Sequence, residues 1–164
     1  MFKKLFNKDT KKEEMFAYAS GKLVRLEDVP DPVFGQKVMG EGIAISPSDG
    51  RIVAPIDGEI TLLADTKHAF GIKTELGEEI LVHIGLETVG LKGEGFNVRV
   101  KMGDRVTKGQ TIIEADLALI EKRGCNTIIP MIVTNSMEGK FKFEWENSGQ
   151  VKAGESKVFT ARLK

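Results

Sequence analysis

The sequence predicts an all-β fold, an antiparallel β-sandwich (a barrel-sandwich hybrid) with short helical turns. Glycine-containing turn pairs recur at short intervals: "SG" at 20, "SDG" at 48, "DG" at 57, "LGEE" at 76, "KGEG" at 92, "MGD" at 102 and "KG" at 108. Between them lie short β-rich runs, among them "KLVRL", "GIAIS", "RIVAP", "EITLL", "AFGIKT", "EILVHI", "TIIEAD", "IIPMIVT" and "KVFTARL". Helical signals are confined to two brief stretches. Short strands at this spacing fit a sandwich or barrel and not a parallel sheet built from strand–helix–strand units.

Taken in order, residues 1–14, "MFKKLFNKDTKKEE", are charged and carry no turn chemistry, so they read as a tail separate from a single domain over 15–164. Phe2, Leu5 and Phe6 would share a helical face among lysines, a pattern suited at most to weak contact with an anionic membrane surface. "DPVFGQKVM" opens a helix with Asp31 as N-cap and Pro32 in the first position. "DLALIEKRG" opens a second with Asp116 and stops at Gly124. No internal repeat of solenoid length breaks this order.

Composition narrows the function. Lysine plus arginine and aspartate plus glutamate number 24 each among 164 residues, so no basic field exists to gather nucleic acid. Neither a cleavable apolar leader nor a spanning apolar run is present, and a cytoplasmic location is expected. The single cysteine, Cys125, has neither a second cysteine nor a histidine near it in sequence and reads as structural.

Only two histidines occur, and His83 interrupts the apolar run "EILVHIG". The runs carrying His68 and His83 flank "ELGE", a hairpin connection. A two-residue loop over Leu76 and Gly77, or a four-residue one, sets His83 opposite Phe70 and His68 opposite Gly85. The imidazoles then become diagonal neighbours, with Cβ atoms roughly 7 Å apart. In that register Phe70, Ile72 and Leu81 share the histidine face while Ile80, Val82 and Ile84 take the other. A three-residue loop would shift the pairing by one and send the histidines to opposite faces. Paired imidazoles on an apolar patch suit phosphoryl transfer: one nitrogen attacks, and the second ring donates a hydrogen bond to the captured anion. Metal chemistry is disfavoured, because zinc sites take three or four spaced ligands and neither H-x-H nor H-x-x-x-D occurs. A serine nucleophile is disfavoured by the lack of G-x-S-x-G.

The segments "EDVPDPVF", "GEGIAISP", "VAPIDGEI", "TKHAFGIKT", "LVHIGLETVGLKGEGF" and "GDRVTKGQ", in order from about Leu23 to Asn135, resemble the glucose-class IIA family of the bacterial phosphoenolpyruvate-dependent sugar phosphotransferase system. The resemblance implies a β-sandwich that accepts a phosphoryl group from the histidine phosphocarrier protein and passes it to a cysteine on a IIB domain. By motif, His83 would be the phosphorylated residue and His68 would hydrogen-bond the phosphoryl group. Thr66 would orient His68, and the backbone carbonyl of Gly85 would orient His83. Phe34, Val38, Leu81 and Val89 fall where the family has an apolar docking rim. Asp31 and Glu87 fall where it has acidic docking residues, Glu87 standing where aspartate is more usual. No metal and no cofactor are implied. A regulatory docking role toward transporters or kinases would add to this activity.

A rival resemblance rests on "GDRVTKGQTIIEAD", which is similar to the bend of biotinyl and lipoyl carrier domains. Those domains carry their cofactor on a lysine at a hairpin tip, and no "M-K-M" or "D-K-A" tip follows here. The start "MFKKLF" and the lack of a IIB-like cysteine segment suggest a free-standing protein.

Overall fold

The structure, a computed structural model, describes residues 11–147 and 149–164. Among the described residues fourteen strands, all in antiparallel pairs, form three sheets. The largest, of eight strands, has the order β13(Gly149–Val151), β2(Gly21–Arg25), β3(Glu41–Pro47), β11(Ile129–Val133), β7(Glu79–His83), β6(Ala69–Lys73), β5(Gly58–Leu63), β9(Arg105–Val106). Two three-stranded sheets complete the sandwich: β4(Arg51–Val53) with β10(Thr111–Ala115) and β8(Phe96–Val98), and β1(Lys12–Phe16) with β14(Lys157–Leu163) and β12(Phe141–Trp145). The two expected helices are present but brief: α1(Pro32–Gly35) and α2(Leu117–Lys122). Both are capped as the sequence predicts, Asp31 accepting from the Val33 N–H and Asp116 from the Leu119 N–H.

Residues 1–10, with the amphipathic pattern of Phe2, Leu5 and Phe6, lie outside the described residues. Lys12–Glu14, expected in the tail, are instead the first part of β1, because "KEEMF" pairs with β14 and buries Met15 completely. Three consecutive charged residues hide this strand in the sequence, and its pairing with β14 makes it part of a sheet.

The core is filled by fully buried Tyr18, Leu23, Ile45, Ile52, Ile60, Phe70, Ile72, Ile84, Ile112 and Phe159. Each such side chain contributes roughly 1.5–3 kcal/mol through burial. Tyr18 adds a polar tie, its hydroxyl donating to the Ile129 carbonyl at 2.6 Å beneath the large sheet. A satellite aromatic cluster lies along the β12–β14 pair. There the Trp145 ring is 4.5 Å from Phe159 and 5.2 Å from Phe143, centroid to centroid.

The β6–β7 register corrects the expected one. The Thr74 N–H donates to Glu78 O and the Gly77 N–H to Thr74 O, closing a loop of Glu75, Leu76 and Gly77. Gly77 adopts φ +99°, which glycine reaches without steric cost. His83 therefore pairs with Ala69 and not Phe70, and Val82 with Phe70. Phe70 and Ile72 join Ile80 and Val82 on the core side, all at most 2% exposed. The expectation that Phe70 and Ile72 share the histidine face is thus wrong; Leu81 and His83 share the outer face without them.

Candidate functional site

The odd-numbered loop should have separated the histidines, yet their ring centroids lie 4.7 Å apart at an interplanar angle of 80°. His68 precedes β6, so strand alternation does not bind it. Lys67, at φ +62°, turns the chain immediately before it, and the Lys67 N–H donates to Ala64 O. The His68 carbonyl still accepts from the Ile84 N–H at 2.7 Å, which fixes His68 beside the end of β7. A left-handed residue at the strand entrance thus restores the pairing that the register alone would have broken.

β7 runs between β6 and β11, so His83 stands at the end of a strand held on both sides. Its Nδ1 is 2.8 Å from the Gly85 carbonyl, an acceptor only, so Nδ1 donates and Nε2 keeps its lone pair in the neutral ring. Gly85 has φ +79°, and a Cβ there would come within 2.6 Å of Thr88 Cγ2 and 3.0 Å of the Asn126 carbonyl. Thr88 in turn donates to the Ile84 carbonyl at 2.6 Å, tying down the turn that follows the histidine. His68 Nδ1 lies 2.7 Å from Thr66 Oγ1. With the Thr66 hydroxyl as donor, the His68 proton resides on Nε2.

Burial lowers the pKa of both imidazoles from the ordinary value. The neighbouring His83 lowers that of His68 further, and a hydrogen bond to the Thr66 backbone opposes the shift. For His83, the hydrogen bond to Gly85 and the negative charge of Asp31 act against burial. Both rings are therefore neutral at pH 7. Among the described residues no group of three histidine, cysteine or carboxylate side chains is placed to hold a metal ion.

Of the remaining expected residues, Phe34 and Asp31 act directly on His83. Phe34 is 6% exposed and lies 5.2 Å, ring to ring, from His83; it walls the imidazole instead of standing proud on a rim. Val38 and Val89 are 68% and 55% exposed, Leu81 is half-buried and Glu87 exposed. Asp31 both caps α1 and acts electrostatically on His83. Val33 and Met39, exposed large side chains on and just after α1, escaped the sequence reading. The shortness of α1 turns Val33 outward, which no periodicity over four residues could reveal. Cys125 is partly buried, with Sγ 3.9 Å from the Glu87 carbonyl.

The all-β sandwich that carries this pair is shared with a IIA protein of known structure. The glucose permease IIA of Mycoplasma capricolum superposes with a TM-score of 0.83 at 36% identity, covering 92% of this chain and 96% of that one. The chain belongs to the EIIA 1 family of the phosphoenolpyruvate-dependent sugar phosphotransferase system, whose model matches residues 13–139. The glucose-specific EIIA component of Halalkalibacterium halodurans is 46% identical over 172 aligned residues, covering 99% of each chain. That of Staphylococcus aureus is 43% identical over 166, again covering 99% of each. That of Bacillus cereus is 48% identical over 138, covering 83% of this chain and 84% of the relative.

Proposed function

We propose that this chain is a phosphocarrier which accepts a phosphoryl group on His83 Nε2 from the histidine phosphocarrier protein and passes it to a cysteine of a IIB domain during sugar uptake. The observation that supports this best is the orientation of the pair. Two neutral imidazoles cross at 4.7 Å, and each has its Nδ1 engaged by a local oxygen.

In the first displacement the His83 Nε2 lone pair attacks phosphorus, the donor's N–P bond breaks and its electron pair returns to the donor imidazole. The Gly85 carbonyl holds the His83 Nδ1 proton and stabilises the cationic character that the ring gains as the new bond forms. His68 donates through Nε2–H to a phosphoryl oxygen, and Thr66 maintains that tautomer. In the second displacement a thiolate attacks, an S–P bond forms and the N–P electrons return to His83. Most of the acceleration comes from holding donor and acceptor in line. Phe34, Leu81, Val38 and Val89 exclude water from a bond that hydrolyses readily, while Asp31 and Glu87 meet basic groups of the partners.

The exposed apolar side chains also suit docking to regulated transporters or kinases, as the same rim would serve any partner that reads the phosphorylation state. The names of the relatives make glucose uptake the first transport to test.

Intact mass before and after incubation with phosphoenolpyruvate, the general phosphotransferase enzyme and its phosphocarrier tests the reading. One acid-labile phosphoryl group is expected on the wild type and none on His83→Ala. No gain in the wild type, with the other proteins active, overturns it.

A further inference from the structure

At the end of the β6–β7 hairpin remote from the histidines lies a second titratable cluster. Glu78 is 0% exposed, and neither of its carboxyl oxygens has a hydrogen-bond partner among the described residues. Beside it stands Glu13 of β1, whose two oxygens are both occupied. Oε1 accepts from the Thr74 hydroxyl at 2.7 Å and Oε2 from the Leu76 N–H at 2.8 Å. Thr74 Oγ1 in turn accepts from the Glu78 N–H at 3.0 Å. Glu13 thus receives two donors, as an ionised carboxylate does, whereas Glu78 receives none, so a negative charge on it would be buried without compensation.

Glu13 also crosses between layers. β1 belongs to the sheet it forms with β14 and β12, whereas the hairpin belongs to the eight-stranded sheet. The other charged groups around the cleft beside Glu13 are Lys12 and Glu14 from β1, Glu75 from the hairpin loop, Asp57 before β5 and Lys108 before β10. Glu79 and Lys73 close the hairpin ends. Glu14 pairs with Lys157, and Lys108 sits 3.8 Å above the Phe16 ring. None of these cations forms an ion pair with Glu78.

We propose that Glu13 and Glu78 share one proton and act as a pH-released clasp that fastens β1 to the tip of the β6–β7 hairpin. With the proton held, Glu78 is neutral and Glu13 keeps its two donors. When the proton leaves, two carboxylates confront each other away from water, and the least costly relief is for β1 to detach.

Burial, followed by the neighbouring Glu13 carboxyl and its charge, pushes the Glu78 pKa up to about 10 from 4.5. The group is raised, so its stabilising effect is complete below the unfolded value and is lost as pH climbs from about 4.5 to about 10.

The test uses the full chain as wild type and Glu78→Gln. With carboxyl-¹³C glutamate, the wild-type Glu78 carbon is expected at its neutral-acid position at pH 7. Hydrogen exchange in β1, corrected for its intrinsic pH dependence, is expected to lose protection by up to tenfold per pH unit in the alkaline range, one proton being released. Glu78→Gln is expected to flatten that dependence. An ionised Glu78 carbon at pH 7, or the same pH slope in both proteins, overturns the clasp. Should Glu78→Gln fail to fold, the wild-type carbon titration decides alone.

Discussion

Under the proposed function each of the two imidazoles has a separate job, and substitutions separate them. His83→Ala removes the attacking nitrogen, so phosphate incorporation is expected to vanish, as read by intact mass. His68→Ala leaves the nucleophile and the rim, so partner binding by titration calorimetry is expected to persist while transfer slows by two orders of magnitude or more, about the scale of one lost transition-state hydrogen bond. Because both pKa values are lowered, acidification through the ordinary value of 6.5 protonates the unfolded chain first, and the folded state loses stability as pH falls through that range. In a ¹H–¹⁵N titration both rings are expected to titrate below 6.5, and His68 is expected to move upward in His83→Ala, where its neighbour's charge is gone. Both histidines were legible as a pair because so few exist. That Phe34 serves as a wall was not, since burial depends on what α1 packs against.

At the level of elements, the hairpin shows both the reach of sequence patterns and their limit. Its two strands and its loop were readable from "AFGIKT", "ELGE" and "EILVHI", but loop length was not, and one residue decides the register. The inferred proximity of the histidines was right for another reason, the left-handed Lys67, which no propensity places there. Both helix starts were legible because an aspartate cap is a local interaction. Removing one by Asp31→Ala is expected to loosen α1 by about 1 kcal/mol and to lower the His83 pKa further, as the charge that raised it is lost. Gly85→Ala is a harsher change. The positive φ and the approach to Thr88 would cost on the order of 1–3 kcal/mol and displace the carbonyl that orients His83, so both thermal midpoint and phosphate incorporation are expected to fall.

Across the whole molecule, most strands of the eight-stranded sheet were foreseen, whereas in the β1–β14–β12 sheet only β14, "KVFTARL", was. "FKFEW" alternates apolar and charged residues, whereas "KEEMF" does not, and only its pairing with β14 makes that segment a strand. A core tie lies beneath the large sheet: Tyr18→Phe removes the hydroxyl that donates to the buried Ile129 carbonyl and is expected to cost about 1–3 kcal/mol in denaturant unfolding, with phosphate incorporation unchanged. The aromatic cluster in the smaller sheet has an optical consequence. The chain has one tryptophan, and Trp145 faces Phe159, which in turn pairs with Met15 of β1. No site residue lies in that sheet, so tryptophan emission is blind to chemistry at His83 and sensitive to the seating of β1. Fluorescence followed against pH in the intact chain would thus serve as a built-in gauge of whether the first strand is in place.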